Sequence, residues 1–300
     1  MTATPQSSPE IVTRFAPSPS GHLHLGHAYA ALFAWRLADR PGGQFVLRIE
    51  DIDGGRNKAE FEDAIYEDLA WLGISWPEPV MRQSERLSAY QAALDHLKEM
   101  GLLYPCFCTR KDILAEINSS AGAPHSHGAY GPIYPGICRD ISDSKRKSQM
   151  DADTPYALRL DVTKALAIAG ELSWHDRVRG EQRIEAERFG DVVLARKDIQ
   201  TSYHLAVTVD DAAQGITLVT RGDDLFESTH VHRLLQALLG LETPEWHHMP
   251  LLTDPTGKRL AKRDNPLTLR EMRRSGIAGD TIWARAIQSL ARSATAVEGI

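Results

Sequence analysis

His24 and His27 stand one helical turn apart at the end of the run Arg14-Phe15-Ala16-Pro17-Ser18-Pro19-Ser20-Gly21. Two imidazoles at that spacing share one face of a helix and can donate to a single anion. Gly21 and Gly26 remove side chains around them, which lets a ligand approach the backbone. A helix N-terminus adds N–H groups and a positive dipole end, a setting suited to phosphate. Taken alone, the pattern fits a phosphate site and equally a polar loop whose histidines cap the helix. A second cluster implies different chemistry. Cys106 and Cys108 lie one residue apart, and Cys138 closes Tyr134-Pro135-Gly136-Ile137-Cys138. Structural zinc takes four donors in a tetrahedron and prefers thiolates, so three cysteines leave one corner for Tyr134, His125 or His127. Chemistry alone favours a histidine, because a phenol gives up its proton only near a pKa of about 10. Three buried cysteines without metal are the plainer alternative.

These residues need elements to carry them. Ile11 to Phe15 reads as a strand end, and Pro17 and Pro19 fix φ and delete two backbone donors, so neither strand nor helix can run through. A helix is expected to about Arg40, then Gly42-Gly43 and an apolar strand from Gln44 to Ile49, ending in Glu50-Asp51-Ile52-Asp53. Strand, helix, strand opens a parallel doubly wound sheet, whose ligands bind beyond the carboxyl ends of the strands. That puts Arg14 and Glu50 at one rim. Asn57 to Leu72 is expected helical, with Phe61, Ile65, Leu69 and Leu72 about a turn apart and Gly73 as its stop. A further helix is expected from Ser84, as cap, to Met100, with Leu87, Tyr90, Leu94 and Leu97 on one face.

Lys111 to Ile117 also reads as helix, and Lys145-Arg146-Lys147 as a solvated basic run in a polar linker. Short alternating segments (Tyr156 to Leu160, Leu172 to Asp176, Gln182 to Ala186, Asp191 to Leu194) suggest antiparallel strands inserted between the halves of the parallel sheet. Thr201 to Asp211 returns to core-like apolar content. Ile216 to Val219 is a strand with Arg221 just beyond it, Glu227 to Leu239 an amphipathic helix, and Met249 to Leu252 strand-like. Two short helices, Thr268 to Ser275 and Asp280 to Ser293, are expected last.

The chain of 300 residues is 42% apolar and 25% charged, an ordinary globular composition for one large or two modest domains. No apolar run approaches the roughly 20 residues that span a membrane. Met1 to Glu10 lacks the layout of a signal peptide, so a cytoplasmic location is expected. Three cysteines make no disulfide framework and suit metal binding in a reducing compartment. A net charge of −6 excludes a generally basic nucleic-acid binder while allowing a local basic surface.

Arg14 to His27 resembles the opening of glutamyl-tRNA synthetases, and His24-Leu25-Gly26-His27 matches the HIGH signature of class I aminoacyl-tRNA synthetases. Gly257-Lys258-Arg259-Leu260-Ala261-Lys262-Arg263 matches their second signature, KMSKS, usually Lys-Leu-Ser-Lys in this family; Arg259 and Ala261 depart from it and Lys262 keeps the second lysine. Cys-x-Cys…Tyr-x-x-x-Cys is similar to the zinc module of the glutamyl-Q tRNA(Asp) synthetases, truncated paralogues, and the resemblance covers nearly the whole chain. It implies an α/β fold: a Rossmann-like doubly wound parallel sheet with an inserted zinc-containing acceptor-type subdomain. It also implies no anticodon-binding domain, since 37 residues follow Arg263. The implied segments are 1–103 and 196–265 for the catalytic halves, 104–195 for the insert (zinc module 104–140), and 266–300 for a short helical region.

The same resemblance implies activation of L-glutamate by ATP and transfer of glutamate to the queuosine base of tRNA(Asp). His24, His27 and Lys262 would be catalytic, with Gly26 and Arg259 joining them on ATP. Arg14, Ala16, Ser18, Glu50, Tyr203 and Arg221 would hold glutamate. The physical chemistry agrees, since two carboxylates call for cationic forks and an ammonium for a carboxylate. Without the resemblance Tyr203 reads as core and Arg221 as a surface ion pair. Cys106, Cys108, Tyr134 and Cys138 would hold one structural zinc, so here the resemblance favours tyrosine where chemistry favours histidine. Mg²⁺ would accompany ATP, and a monomer is expected. The alternatives are a compact glutamyl-tRNA synthetase charging a 3′ end, a non-catalytic paralogue binding glutamate or ATP, and a plain RNA-binding module. Arg270, Arg273 and Arg274 are candidates for tRNA contact.

Overall fold

A computed structural model describes residues 10–119, 127–128, 131–185, 189–252 and 267–288. The chain forms two compact units. One takes the residues up to Glu85, Gln214–Leu225 and the chain from Pro244; the other takes Arg86–Ala213 and Phe226–Thr243. In chain order the first unit begins with β1 (Val12–Phe15), α1 (Leu25–Ala38), β2 (Gln44–Ile49), α2 (Ala59–Trp71) and β3 (Met81–Arg82). The second follows with α3 (Leu87–Glu99), β4 (Leu103–Cys106), α4 (Arg110–Ser119), β5 (His127–Gly128), β6 (Gly131–Pro132), α5 (Asp143–Asp151) and β7 (Ala157–Leu160). It continues through α6 (Val162–Ala169), β8 (Ser173–Asp176), β9 (Gly180–Arg183), β10 (Val193–Ala195) and α7 (Tyr203–Ala213). Then come β11 (Leu218–Gly222) in the first unit, α8 (Ser228–Leu238) in the second, and β12 (Glu245–Met249) and α9 (Leu269–Arg274) in the first.

The first unit is a parallel α/β sheet. β1 pairs with β2 from Val12↔Gln44 to Phe15↔Leu47, β2 pairs with β3, and β11 pairs with β12, all parallel. The Thr217 N–H donates to the Val12 carbonyl (3.1 Å) and its hydroxyl accepts from the Val12 N–H (2.9 Å), so the chain entering β11 runs along the other edge of β1. Strands buried on both faces read as continuous apolar runs, and β2 does so from Phe45 onward except at Arg48. Ala28, Ala31 and Ala34 are fully buried and let α1 lie close over the sheet, where Ile49, Ile65 and Leu69 fill the core. Leu269, Met272 and Ile282 join that cluster. A Cβ on Gly279 would overlap the Trp71 carbonyl, so the last described turn fits against α2 only as glycine.

The second unit holds an antiparallel sheet in the order β10-β7-β4 and a β8–β9 hairpin. The four expected strands are there with shifted ends. Between the first two lies α6, where sequence reading placed no helix. Its signals are local: the Asp161 carboxylate accepts from the Lys164 N–H (3.1 Å) as cap, and Gly170 ends it at φ +73. Thr201 to Asp211, read only as core-like, becomes α7, tied to α3 where Tyr90 Oη donates to Asp210 (2.7 Å) beside Arg86 Nε (2.6 Å). Lys145 to Lys147 lie on α5, a helix without a buried residue rather than a linker.

Two expectations for α3 need correcting. Ser84 does not cap it: Ser84 sits in a 3-10 turn (Gln83–Glu85) with both N–H and hydroxyl donating to Asp51 (2.8 and 2.6 Å), and Arg86 is the residue before the helix. A long-range carboxylate has won the hydroxyl from the local helix end. Leu87 leaves the apolar face at 51% exposure, while Tyr90, Leu94 and Leu97 are buried. No helix among the described residues is long and apolar enough to cross a membrane.

Candidate functional site

In the first unit His24 is the N-cap of α1, with extended backbone. Its Nδ1 accepts the Gly26 N–H (3.1 Å), and the His24 N–H in turn donates to His27 Nδ1 (3.2 Å). This is a reciprocal capping box built from imidazoles. With both Nδ1 atoms accepting, the proton of each neutral ring belongs on Nε2, which becomes the donor a phosphate would meet. The capping alternative is therefore realised, and it orients the rings, whose centroids lie 3.9 Å apart. A Cβ on Gly26 would come within 3.1 Å of His24 Cε1, so glycine serves the cap itself. Arg259 and Lys262 lie outside the described residues. The described chain resumes before Thr268, whose backbone bridges to His24, while the Leu269 N–H donates to the Leu23 carbonyl (2.8 Å).

Three of the expected glutamate ligands gather at the carboxyl ends of the first unit's strands. Arg14 is buried on β1, and its Nη1 donates to the carbonyl of Thr220, the residue before Arg221 (2.9 Å). Arg221 is buried on β11, with Nε donating to His248 Nε2 (3.1 Å). Glu50 follows β2; its N–H donates to the Pro17 carbonyl (3.1 Å), which ties it to the proline turn. Its carboxylate accepts from Arg48 Nη2 (3.2 Å), while Arg48 Nη1 donates to Gln214 (2.9 Å). Ala16 is half-buried and Ser18 exposed on that turn. Tyr203 opens α7 in the second unit, its ring beside those of His204 and His232 (centroids 5.6 and 5.7 Å away).

Sequence reading missed Arg48, Gln214 and His248. For Arg48 a signal existed: a guanidinium that is fully buried costs several kcal/mol unless paired, so a charge inside an apolar strand marks a job.

In the second unit β4 and the turn after it place Cys106 and Cys108, and Gly136 at φ +83 turns the chain that brings Tyr134 and Cys138 to them. Cys108 and Cys138 Sγ lie 3.4 Å apart, and all three sulfurs fall within 4.8 Å of one another. Tyr134 Oη is 3.5 Å from Cys106 Sγ and 3.6 Å from Cys108 Sγ, and accepts the Cys138 N–H (2.7 Å). Zinc–sulfur bonds of about 2.3 Å and a zinc–oxygen bond of about 2.0–2.2 Å in a tetrahedron imply edges of roughly 3.5–3.8 Å. The Tyr134 Oη spacings to Cys106 and Cys108, 3.5 and 3.6 Å, are of that size, and the Cys108–Cys138 spacing of 3.4 Å is slightly shorter. Burial pushes the Cys108 thiol up to about 12 and raises the Tyr134 phenol too. Burial also opposes Cys138, but the Tyr134 hydroxyl and the Phe107 N–H outweigh it and lower its pKa. A divalent cation would supply the charge that burial withholds. The Arg159 guanidinium, 3.7 Å over the Tyr134 ring, also favours a phenolate.

His125 lies outside the described residues, and His127 is described only as a backbone position paired with Pro132. Behind the cluster, buried Asp191 accepts from Tyr104 Oη (2.6 Å), Arg139 Nη1 (3.1 Å) and the Val162 N–H (3.0 Å), binding β4, the chain after Cys138 and the start of α6 together.

Residues 10–283 match the family described as tRNA synthetases class I (E and Q), catalytic domain. The chain is 49% identical over 274 residues to a glutamyl-Q tRNA(Asp) synthetase of Rhodobacter capsulatus, covering 89% of this chain and 96% of that protein. It is 36% identical over 276 residues to a glutamate–tRNA ligase of Aquifex aeolicus, covering 91% of this chain and 56% of that one. Among solved structures, the glutamate tRNA ligase of Elizabethkingia meningosepticum in complex with its amino acid superposes with a TM-score of 0.68 at 30% identity, covering 85% of this chain and 52% of that chain.

Proposed function

The chain belongs to the class I tRNA synthetases of the glutamate and glutamine group, and from that membership we propose that it activates L-glutamate with ATP and transfers the glutamyl group to the queuosine base of tRNA(Asp). The observation that carries the choice of acceptor is the 49% identity over 96% of a glutamyl-Q tRNA(Asp) synthetase. Enzymes of this family use ATP with Mg²⁺. In the first step an oxygen of the glutamate α-carboxylate bonds to the α-phosphorus, the bond to the bridging oxygen breaks, and pyrophosphate leaves. No protein nucleophile takes part. Catalysis rests on positioning and on stabilising charge at the phosphates.

His24 and His27 donate from Nε2 to those phosphates, helped by the amino end of α1, while Lys262 and Arg259 act from the KMSKS-like segment. Arg14 and Arg221 receive the carboxylates and Glu50 the ammonium, and Ala16, Ser18 and Tyr203 are the further residues assigned to glutamate. In the second step the acceptor attacks the mixed anhydride and AMP leaves. Cys106, Cys108, Cys138 and Tyr134 would hold a zinc ion, which when bound ties the ends of the cysteine module together. The segment 104–195 is read as the tRNA-facing insert between catalytic halves 1–103 and 196–265, in a monomer working in the cytoplasm.

The test of the first half-reaction is ATP–pyrophosphate exchange without tRNA. Exchange that requires glutamate supports the reading. No exchange under any condition would leave a binding protein.

A further inference from the structure

We infer that His248 is a positioning residue for glutamate recognition, holding the guanidinium of Arg221 in the orientation in which it meets a substrate carboxylate. The inference rests on the assignment of Arg221 to glutamate. β11 and β12 pair in parallel, and Arg221 and His248 are partners in that register. Neighbouring side chains alternate between faces of a strand. His247 accordingly packs against the ring of Phe33 (centroids 4.8 Å apart), and His248 is aimed the other way, at Arg221.

Both members of the pair are buried, Arg221 at 6% exposure and His248 at 3%. The bond runs from Arg221 Nε to His248 Nε2 at 3.1 Å. An imidazole nitrogen accepts only when it carries no proton, so His248 is neutral and its proton sits on Nδ1. A guanidinium is planar, and it recognises a carboxylate through parallel N–H bonds lying in that plane. Fixing Nε therefore helps to fix the plane of the fork. Arg14 is held in a related manner one residue away, through the Thr220 carbonyl. A buried apolar side chain at position 248 would leave the Arg221 Nε–H without this acceptor, and the fork would pay for ordering when glutamate binds.

The experiment is steady-state pyrophosphate exchange on the full chain, with glutamate and ATP varied separately, for His248→Leu, His248→Gln, Arg221→Ala and the double variant. His248→Leu is expected to raise KM for glutamate about tenfold, the loss of one charge-assisted bond, with KM for ATP unchanged. His248→Gln retains an acceptor and is expected to recover most of that affinity; it also stands as the folded comparison should His248→Leu fail to fold. The double variant is expected to be no worse than Arg221→Ala alone, since both act through one group. An unchanged glutamate KM in His248→Leu, beside a raised one in Arg221→Ala, overturns the inference and leaves the assignment of Arg221 standing. An unchanged glutamate KM in Arg221→Ala overturns that assignment and the inference with it. Parallel rises in KM for both substrates would mean that His248 is merely structural.

Discussion

The two candidate sites are built on opposite plans. In the His24–His27 loop each polar side chain is satisfied by its own backbone: Nδ1 of each imidazole accepts an N–H within three residues. In the Cys106–Cys138 cluster the donors satisfy one another, sulfur to sulfur and phenol to sulfur, in surroundings that oppose the charged forms of Cys108 and Tyr134. The first site is preorganised before any ligand arrives. The second, as a proposed zinc site, would be completed by a cation. An active site gains by fixed dipoles, which need not reorganise during reaction. A structural metal site gains by coupling folding to metal binding.

The largest effect should come from breaking the second plan. Stripping the metal, or making Cys108→Ser, should lower the stability of the chain by about 4 kcal/mol, the contribution of an ion present at a thousandfold above its Kd. Calorimetry with metal analysis checks this, and an unshifted melt in metal-free protein contradicts it. The sign with pH follows from the ligands' protons. Each must be lost on binding, and Cys108 holds its proton up to about 12 without the ion, so zinc affinity should rise with pH and weaken in acid. Competition with a metal chelator at two pH values reads it.

Breaking the first plan should affect rate more than fold. His27→Ala should cut kcat for exchange by about 10²–10³, while the lost cap costs only about 1 kcal/mol of stability. A loss of stability without a matching loss of rate would reduce His27 to a cap. Asp68 probes the first unit's core directly. It is fully buried, neither oxygen has a hydrogen-bond partner among the described residues, and Arg273 Nη2 stands 3.7 Å away. Burial raises its pKa to about 6, against the pull of Arg273. The folded state therefore keeps a proton that the unfolded state has lost. Its contribution is full below about pH 4 and disappears as pH rises through 6. Asp68→Asn should accordingly gain about 1–3 kcal/mol at pH 8 and nothing at pH 4, measured by urea unfolding at both. The smallest effect is expected from Gly26→Ala, whose methyl would press on the His24 ring; about 1 kcal/mol is expected, with a raised KM for ATP.

How far the sequence revealed these sites depended on where each residue's partner lies. The His24–Leu25–Gly26–His27 turn was readable because cap, glycine and helix are contiguous. Tyr134 was favoured over histidine only through a motif, since the pKa of a phenol pointed the other way; its oxygen lies against two of the sulfurs. Arg48 and His248 escaped notice because their partners are distant in the chain: Gln214 lies 166 positions from Arg48. Ser84 misled for the same reason, its hydroxyl going to Asp51 rather than to a helix end. The helix α6 is a different failure, for Asp161 and Gly170 were available signals in a stretch read for strands alone. The parallel sheet of the first unit was legible from its first strand, helix and strand, because apolar runs buried on both faces leave little alternative.

The most direct measurement is transfer of labelled glutamate, with ATP, to tRNA from a queuosine-containing strain and from a queuosine-deficient one, each with and without periodate treatment of the 3′ end. Label confined to the queuosine-containing tRNA, and surviving oxidation of the 3′ end before the reaction, is the predicted result. Equal labelling of both tRNAs, abolished by that oxidation, would contradict it and make the chain a compact glutamyl-tRNA synthetase.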